Sequence, residues 1–341
     1  MSCYHPLIGI DTGEKTASGK VKYWIRKRED SADFQREIDL NKDKCILIPC
    51  GHCIGCRLDY SRSWADRMML ELETEKKAIF LTLTYDNDHA PWSQFDSEGD
   101  PLYASLDKRD CQLFMKKLRS RFDGKDGRPF AKIRFFLAGE YGPSTLRPHY
   151  HAIVFGLGRS DFPDSVQHGC NELGQRYYIS NTLSDIWSNG FVLLSDVSWK
   201  TCAYVARYVT KKLSGEAKIT YSERNVIPEF SLMSRKPGIG REYLNQHPDC
   251  LDKESIYLST VDDSLKIQIP KYYYKQLISD AKENTLRDPE RYVKIMADRK
   301  KYAEDSMILQ LQKTGLSFLD YLEVKEQKKL KSVKILKRGA I

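Results

Sequence analysis

Arg147-Pro148-His149-Tyr150-His151-Ala152-Ile153-Val154-Phe155 decides how this 341-residue chain is read. Proline has no N–H to donate, so Pro148 suits the first residue of a strand. The run after it is rich in the aromatic and β-branched residues that strands prefer. On a strand, residues i and i+2 point to one face. His149 and His151 therefore project side by side, about 6–7 Å apart. Ile153 and Phe155 continue their face toward a core. Two imidazoles on one face can chelate one divalent ion. A third ligand is expected from a neighbouring strand. Glu140, in Gly139-Glu140-Tyr141-Gly142 across a short turn, is one candidate, and Asp86 competes with it. Two histidines and a carboxylate with open positions suit Mn²⁺ or Mg²⁺ polarising a phosphate oxygen.

The flanking segments supply the rest of a sheet. Residues 61–77 read as a helix, with Trp64, Met68 and Leu72 at spacing four. Ala78-Ile-Phe-Leu-Thr-Leu-Thr-Tyr85 is a strand, and residues 87–105 are rich in Asp, Ser, Gly and Pro and read as a loop. Asp107 caps a helix whose apolar stripe is Cys111, Phe114, Met115, Leu118 and Phe122. Residues 133–138 form a strand, and Gly142-Pro143-Ser144 turns the chain into the two-histidine strand. After a loop over about 156–176, a short helix carries Leu183, Ile186 and Trp187, with Gly190 as its stop. Phe191–Val197 is a further strand, and Ser198 caps a helix running to about Leu213. The order β-α-β-β-α-β is the split βαβ, ferredoxin-like or RRM-like arrangement, an α+β fold with an antiparallel sheet backed by helices. Residues 1–60 read as an irregular, cysteine-rich segment. Residues 214–270 read as polar loops with short strands, and 271–341 as mostly helical. The expected division is 1–60, 61–245 and 246–341.

Trp199-Lys-Thr-Cys-Ala-Tyr204-Val-Ala-Arg207-Tyr208-Val-Thr-Lys211-Lys212 carries the second signal. Tyr204 and Tyr208 are four apart and share a helix face. Val205 and Val209 mark the adjacent stripe, expected to pack on the sheet. A tyrosine hydroxyl has a pKa of about 10 and is a weak nucleophile until a cation activates it and its electrophile. Two such hydroxyls on one face permit two successive phosphoryl transfers, with Tyr208, nearer Lys211, expected to matter at least as much as Tyr204.

Composition narrows the class. The length is ample for a hydrophobic core, and hydrophobic residues make up 41% against 30% charged, which excludes a disordered or fibrous chain. No apolar run approaches the ~20 residues of a membrane helix. Met1–Pro6 lacks the basic-then-apolar pattern of a secretion signal. Nine cysteines without such a signal point to a reducing compartment and to thiols or metal ligands. Lys and Arg number 55 against 47 Asp and Glu, a net charge of +8 that suits a polyanionic partner.

Three motifs in this order resemble the HUH endonuclease superfamily: Phe80-Leu-Thr82-Leu-Thr84-Tyr-Asp86, then Arg147–Phe155, then Tyr204-Val-Ala-Arg-Tyr208-Val-Thr-Lys211. Within it, the chain is most similar to the replication initiators of Microviridae bacteriophages of the gokushovirus type. Pro49-Cys-Gly-His-Cys-Ile-Gly-Cys-Arg57 and Phe230–Gly240 fit that group as well. The resemblance covers about residues 45–245. It implies that His149, His151 and Glu140 hold the ion, and that the ion polarises the scissile phosphate of single-stranded origin DNA. It further implies that a tyrosine attacks to give a 5′-phosphotyrosine and a free 3′-OH that primes rolling-circle synthesis. The second tyrosine then attacks the regenerated origin, so the strand is rejoined without ATP. Lys211 would neutralise developing charge. Arg147, Arg207 and Lys212 would contact DNA, host helicase and polymerase would be partners, and the protein would act in the cytoplasm of a bacterial host. A plasmid initiator, relaxase or transposase shares this chemistry.

Two further clusters stand apart. Cys50-x-x-Cys53-x-x-Cys56 offers three thiolates, which Cys45 or Cys3 could complete as a structural zinc site, with His52 and His5 as further candidates. A zinc-dependent, non-catalytic nucleic-acid-binding protein would explain these cysteines and the charge, but not the histidines and tyrosines together. Ser234-Arg235-Lys236-Pro-Gly238-Ile-Gly240-Arg241 combines cations with glycines whose backbone N–H groups could hold phosphates. The tail from Lys325 to Arg338 holds seven Lys or Arg and one Glu, and suits either salt-sensitive DNA affinity or a solvated helix face.

Overall fold

Apolar residues occupy both faces of Ala78–Thr84 and of Pro148–Phe155, so each segment must be covered on two sides. The computed structural model describes residues 3–17, 21–27, 34–40, 44–142, 145–170, 174–211, 221–259, 264–282 and 289–335. It pairs the two segments antiparallel at the centre of a seven-stranded sheet.

In chain order the elements begin with β1 (Leu7–Lys15), β2 (Val21–Arg26), α1 (Phe34–Leu40), β3 (Cys45–Ile48) and α2 (Ile54–Glu75). Then come β4 (Ala78–Thr84), β5 (Trp92–Phe95), β6 (Pro101–Ala104), α3 (Lys108–Arg121), β7 (Arg134–Tyr141) and β8 (Pro148–Phe155). They are followed by β9 (Val166–Cys170), β10 (Arg176–Ile179), α4 (Asn181–Trp187), β11 (Val192–Asp196), α5 (Trp199–Lys211) and β12 (Phe230–Met233). The last are α6 (Arg241–Gln246), β13 (Ser255–Ser259), β14 (Ser264–Gln268), α7 (Lys271–Lys282), α8 (Pro289–Thr314) and α9 (Phe318–Ile335). No helix among the described residues is long and apolar enough to cross a membrane.

The chain divides into two compact units, Ser61–Lys275 and Met1–Tyr60 with Gln276–Arg338. In the first, the strand order is β12-β7-β8-β4-β11-β10-β9, every pair antiparallel. The inner four, β7-β8-β4-β11, with α3 and α4, are the split βαβ that the sequence order implied. One face of the sheet is sealed by α3 and α4. Phe114, Met115 and Leu118 meet Leu81, Leu83, Tyr150, Val154 and Trp187 there in one buried cluster. Each large side chain so buried contributes roughly 1.5–3 kcal/mol. Phe80, Phe136, Ile153 and Phe155 are buried on the opposite pleat. α5 packs across β7, β8 and β12, and the Trp64 ring of α2 meets that of Phe136 at 5.0 Å.

Asp107 caps α3 by accepting from the Arg109 N–H, as expected. Ser198 caps α5 reciprocally with Thr201. Several expectations need correction. The first long helix begins at Ile54, not 61. Residues 1–60 contain an antiparallel sheet, β2-β1-β3, rather than irregular chain. β5 and β6 form a hairpin inside the supposed 87–105 loop, and β9 lies inside the 156–176 loop. These strands are short and polar and lie at edges, where no buried face imposes an apolar alternation. α4 stops at Ser188, which is left-handed at φ 57°, rather than at Gly190. Gly190 serves another need: at φ 146° a Cβ there would sit 2.4 Å from the Thr84 carbonyl oxygen.

Candidate metal centre and tyrosine site

Strand register assembles the site. Across the sheet, Glu140 of β7 is paired with His149 of β8, and His149 with Thr84 of β4. One pleat further, Ala138 is paired with His151, and His151 with Thr82. Directly opposed residues share a face, so Glu140, His149, His151 and Thr82 converge. Glu140 Oε1 lies 2.8 Å from His149 Nε2 and 3.1 Å from His151 Nε2. The three ligand atoms are within 4.8 Å of one another, the arrangement of a possible metal site. His151 and Glu140 are 1% and 4% exposed, whereas His149 is half-buried and opens the group toward solvent.

The outer nitrogens explain why the inner ones converge. His149 Nδ1 lies 3.2 Å from the Arg147 carbonyl, which can only accept, so Nδ1 carries the proton. Its Nε2 lone pair then faces a carboxylate oxygen, and a proton or a metal ion has to sit between them. His151 Nδ1 is held by Thr82 Oγ1 at 3.1 Å, and Phe80 stacks parallel to the His151 ring at 5.7 Å. Outer partners of this kind fix the orientation of metal-ligating histidines. The donor set, two imidazole nitrogens and a carboxylate, fits a hard or borderline divalent ion with positions left for water and phosphate. Asp86, the alternative third ligand, does not join. Its carboxylate accepts from His89 N and contacts His89 Nδ1 at 2.8 Å, and His89 holds it below the usual carboxylate range.

α5 brings Tyr204 to this group. The Tyr204 hydroxyl is 3.5 Å from His151 Nε2, and its ring meets that of His151 edge-on at 5.0 Å. Val205, Cys202 and Ala206, all buried, seat the helix on the sheet. The Arg207 guanidinium lies 5.3 Å from the Tyr204 ring centroid. Tyr208 and Lys211 occupy the last turns of α5, with side chains outside the described ones, as is the side chain of Val209; Lys212 lies outside the described residues altogether.

The other expected contacts fall elsewhere. Arg147 clamps the chain after β4, donating to Asn87 Oδ1 at 2.5 Å and to the Tyr85 and Asp86 carbonyls. Arg235 and Lys236 are exposed, and Arg241 donates to Asn245 at 3.0 Å. The glycine turn is an internal clamp rather than an open phosphate cradle. Gly240 N–H donates to Glu71 at 2.6 Å, Arg67 donates twice to the Ile239 carbonyl, and Tyr273 donates to the Gly240 carbonyl. Gly240 sits at φ 79°, where a Cβ would crowd the Arg67 carbonyl at 3.1 Å. Glu71 itself is buried against Arg134. The sequence presents Phe80 and Thr82 only as part of a motif; their alternation in Phe80-x-Thr82-x-Thr84, matching His149-x-His151, is the signal that places them on the site face.

The second unit holds another cluster. Cys3, Cys50, Cys53 and Cys56 bring their sulfurs within 4.8 Å of one another. Cys45 is apart, donating to the Ile38 carbonyl at 3.9 Å. His5 pairs with Glu326 at 2.6 Å, and the His52 residue is exposed. Burial pushes the Cys3 thiol up to about 11. Burial also raises Cys53, but N–H donors from Cys56 and Tyr4 and the neighbouring cysteines outweigh it and leave Cys53 at about 7.

Comparison with known proteins agrees with this geometry. The family model of the replication-associated protein ORF2 matches residues 78–213, which run from β4 through α5. The replication-associated protein ORF2 of Spiroplasma virus 4 is 30% identical over 344 residues, covering 98% of this chain and 96% of its own length. The chain belongs to the replication-associated protein ORF2 family. Other members at 30% identity are the replication-associated protein VP4 of Bdellovibrio phage phiMH2K, over 67% of this chain and 66% of its own, and ORF4 of Chlamydia phage 1, over 72% and 57%. The resemblance to phage replication proteins is thereby borne out. No solved structure matches the chain.

Proposed function

We propose that this replication-associated protein initiates rolling-circle replication of a phage genome by nicking single-stranded origin DNA with a tyrosine and later rejoining it. The observation that carries the reading is the Tyr204 hydroxyl 3.5 Å from His151, beside the Glu140–His149–His151 group. In this reading the nicking domain spans 61–245, flanked by the cysteine-rich segment 1–60 and the extension 246–341.

Glu140, His149 and His151 would hold Mn²⁺ or Mg²⁺, which supplies charge stabilisation at a phosphate oxygen. The Tyr204 oxygen attacks phosphorus, its proton passing to solvent. The bond from phosphorus to the 3′ oxygen breaks, and the 3′ oxygen leaves to become a hydroxyl that primes synthesis. The 5′ phosphate stays on tyrosine, keeping the phosphodiester energy for joining. Tyr208 takes the second transfer after one round, and the released 3′-OH attacks the first phosphotyrosine to close a circle. Lys211 offsets developing charge, while Arg207, Lys212, Arg235, Lys236 and Arg241 offer cations to the strand, with Arg147 steadying the loop beside the site. Tyr204, rather than Tyr208, takes the first cleavage here, because its hydroxyl already reaches the metal group. Host helicase and polymerase would extend the primer in the bacterial cytoplasm. The names of the relatives, all phage proteins, favour this reading over a plasmid relaxase or transposase.

The test is direct. Purified protein incubated with a single-stranded oligonucleotide from the phage origin and Mn²⁺ should yield a protein–DNA adduct that survives denaturation. EDTA should prevent it. Cleavage that proceeds equally in EDTA would refute the role given to the Glu140–His149–His151 group.

A further inference from the structure

Four cysteines that nothing in the nicking reaction uses lie together in the unit that contains the N-terminus. Cys3 is separated from Cys50 by β1, β2, α1 and β3, yet its sulfur is 4.0 Å from Cys53 Sγ. All four are free thiols, so the cluster is not a pair of disulfides, whose sulfurs would be about 2.05 Å apart. A tetrahedral Zn²⁺ with Zn–S bonds of about 2.3 Å holds its sulfurs about 3.8 Å apart. The observed convergence has that scale.

The backbone around the sulfurs is arranged for negative charge. Cys50 Sγ accepts from the N–H groups of His52 at 3.4 Å and Cys53 at 3.3 Å, two and three residues on. Cys53 Sγ accepts from Tyr4 at 3.3 Å and from Cys56 at 3.5 Å, and Cys3 Sγ accepts from Cys50 at 3.2 Å. A neutral thiol is a weak acceptor, whereas a thiolate is a strong one. Cys53 also immediately precedes α2, a helix of 22 residues, whose N-terminal N–H groups favour an anion. Donors aimed at several clustered sulfurs suit thiolates, and thiolates this close need a cation among them.

We propose that Cys3, Cys50, Cys53 and Cys56 form a closed, structural zinc site that fastens the N-terminal strand segment to the start of α2. The set is complete without Cys45, His5 or His52. Four sulfurs leave no position for water or substrate, so the ion is structural and takes no part in strand cleavage. The Cys-x-x-Cys turn supplies Cys50 and Cys53, the first helical turn supplies Cys56, and Cys3 closes a long loop. A metal that closes such a loop removes much of the unfolded chain's freedom.

Elemental analysis of the full-length, untagged protein tests this. One zinc per chain is expected, retained through dialysis against EDTA. Cys3→Ser and Cys53→Ser should each lose it, Cys45→Ser should keep it, and His149→Ala with His151→Ala should keep it. In case a cysteine variant does not fold, wild-type protein grown with cobalt gives a second readout. It should show thiolate-to-cobalt charge-transfer absorption with strong tetrahedral bands, and p-hydroxymercuribenzoate should release the metal. Iron in place of zinc, no bound metal, zinc retained by folded Cys3→Ser, or cobalt spectra without thiolate bands would each overturn the proposal. Because adduct formation is read separately, either proposal can fail while the other stands.

Discussion

The molecule carries two metal-type clusters built on opposite plans. The Glu140–His149–His151 group rests on strands β7 and β8, and register alone sets which residues meet. Its donors are nitrogen and oxygen, one of them half-exposed, and a tyrosine hydroxyl stands 3.5 Å away. The Cys3–Cys50–Cys53–Cys56 group rests on a turn and a helix start, with four sulfurs and backbone N–H donors around them. An incomplete shell beside a nucleophile suits chemistry, and a complete shell of thiolates suits stability. Proximity of ligands alone does not separate these roles; donor type, open positions and neighbouring hydroxyls do.

The contrast would break most completely at the nucleophile. Replacing both Tyr204 and Tyr208 by Phe should abolish the covalent adduct while leaving the protein folded and its zinc bound. Tyr204→Phe alone should slow the first cleavage by about 100-fold, the scale of a misplacement near 1 Å. Tyr208→Phe should leave the first nick largely intact. Each single variant should be impaired in releasing unit-length circles, which gel analysis of plasmid-borne origins would read.

Ligand loss comes next. His151→Ala or Glu140→Gln removes several kcal/mol of charge stabilisation at phosphate, a loss of about 100-fold or more in cleavage. Binding to single-stranded DNA, followed by fluorescence anisotropy, should persist. EDTA at a concentration that stops cleavage should leave the cysteine-bound metal in place, and metal analysis of the treated protein checks this. Simultaneous loss of both metals would erase the distinction between the two clusters.

Thr82→Val sharpens the same contrast more gently. It removes the oxygen that holds His151 Nδ1 at 3.1 Å. A loss of about 10–100-fold in metal affinity is expected, seen as a shifted Mn²⁺ dependence with near-normal cleavage at saturating metal. Unchanged Mn²⁺ dependence would remove Thr82 from the site.

The smallest expected effect concerns stability in the sheet unit, not chemistry. Burial raises the Asp66 carboxyl from 3.8 to about 6, against the pull of Arg62. Folded protein therefore binds this proton more tightly than unfolded protein. The stabilisation is complete below about pH 4 and is lost as pH rises to about 6. Asp66→Asn should flatten that slope and stabilise the neutral protein by up to about 3 kcal/mol. Urea melts at several pH values check it, and adduct formation per folded molecule should not change.

Much of this was legible in the chain. The split βαβ order followed from Phe114, Met115 and Leu118 at helical spacing between alternating strands, because a two-sided core imposes its period on the sequence. His149 and His151 sharing a face needed only the strand repeat. Choosing Glu140 over Asp86 needed the register of β7 against β8, which no local pattern encodes. Cys3 was one of several fourth ligands until the fold closed the loop from residue 3 to 50. The β9 strand, Val-Gln-His-Gly-Cys, left little trace because an exposed edge tolerates polar residues. The glycine turn misled because Gly and Arg read as an open anion site. Its key N–H group is instead taken by Glu71, which lies 169 residues away in sequence.

One measurement bears most directly on the central claim: mass spectrometry of the protease-digested adduct formed with origin DNA and Mn²⁺. The account predicts the nucleotide remnant on the α5 peptide, at Tyr204 after a single turnover and at Tyr208 in the Tyr204→Phe variant where residual adduct forms. A remnant on any residue outside Trp199–Lys211, or an adduct formed undiminished by the double Phe variant, would contradict it.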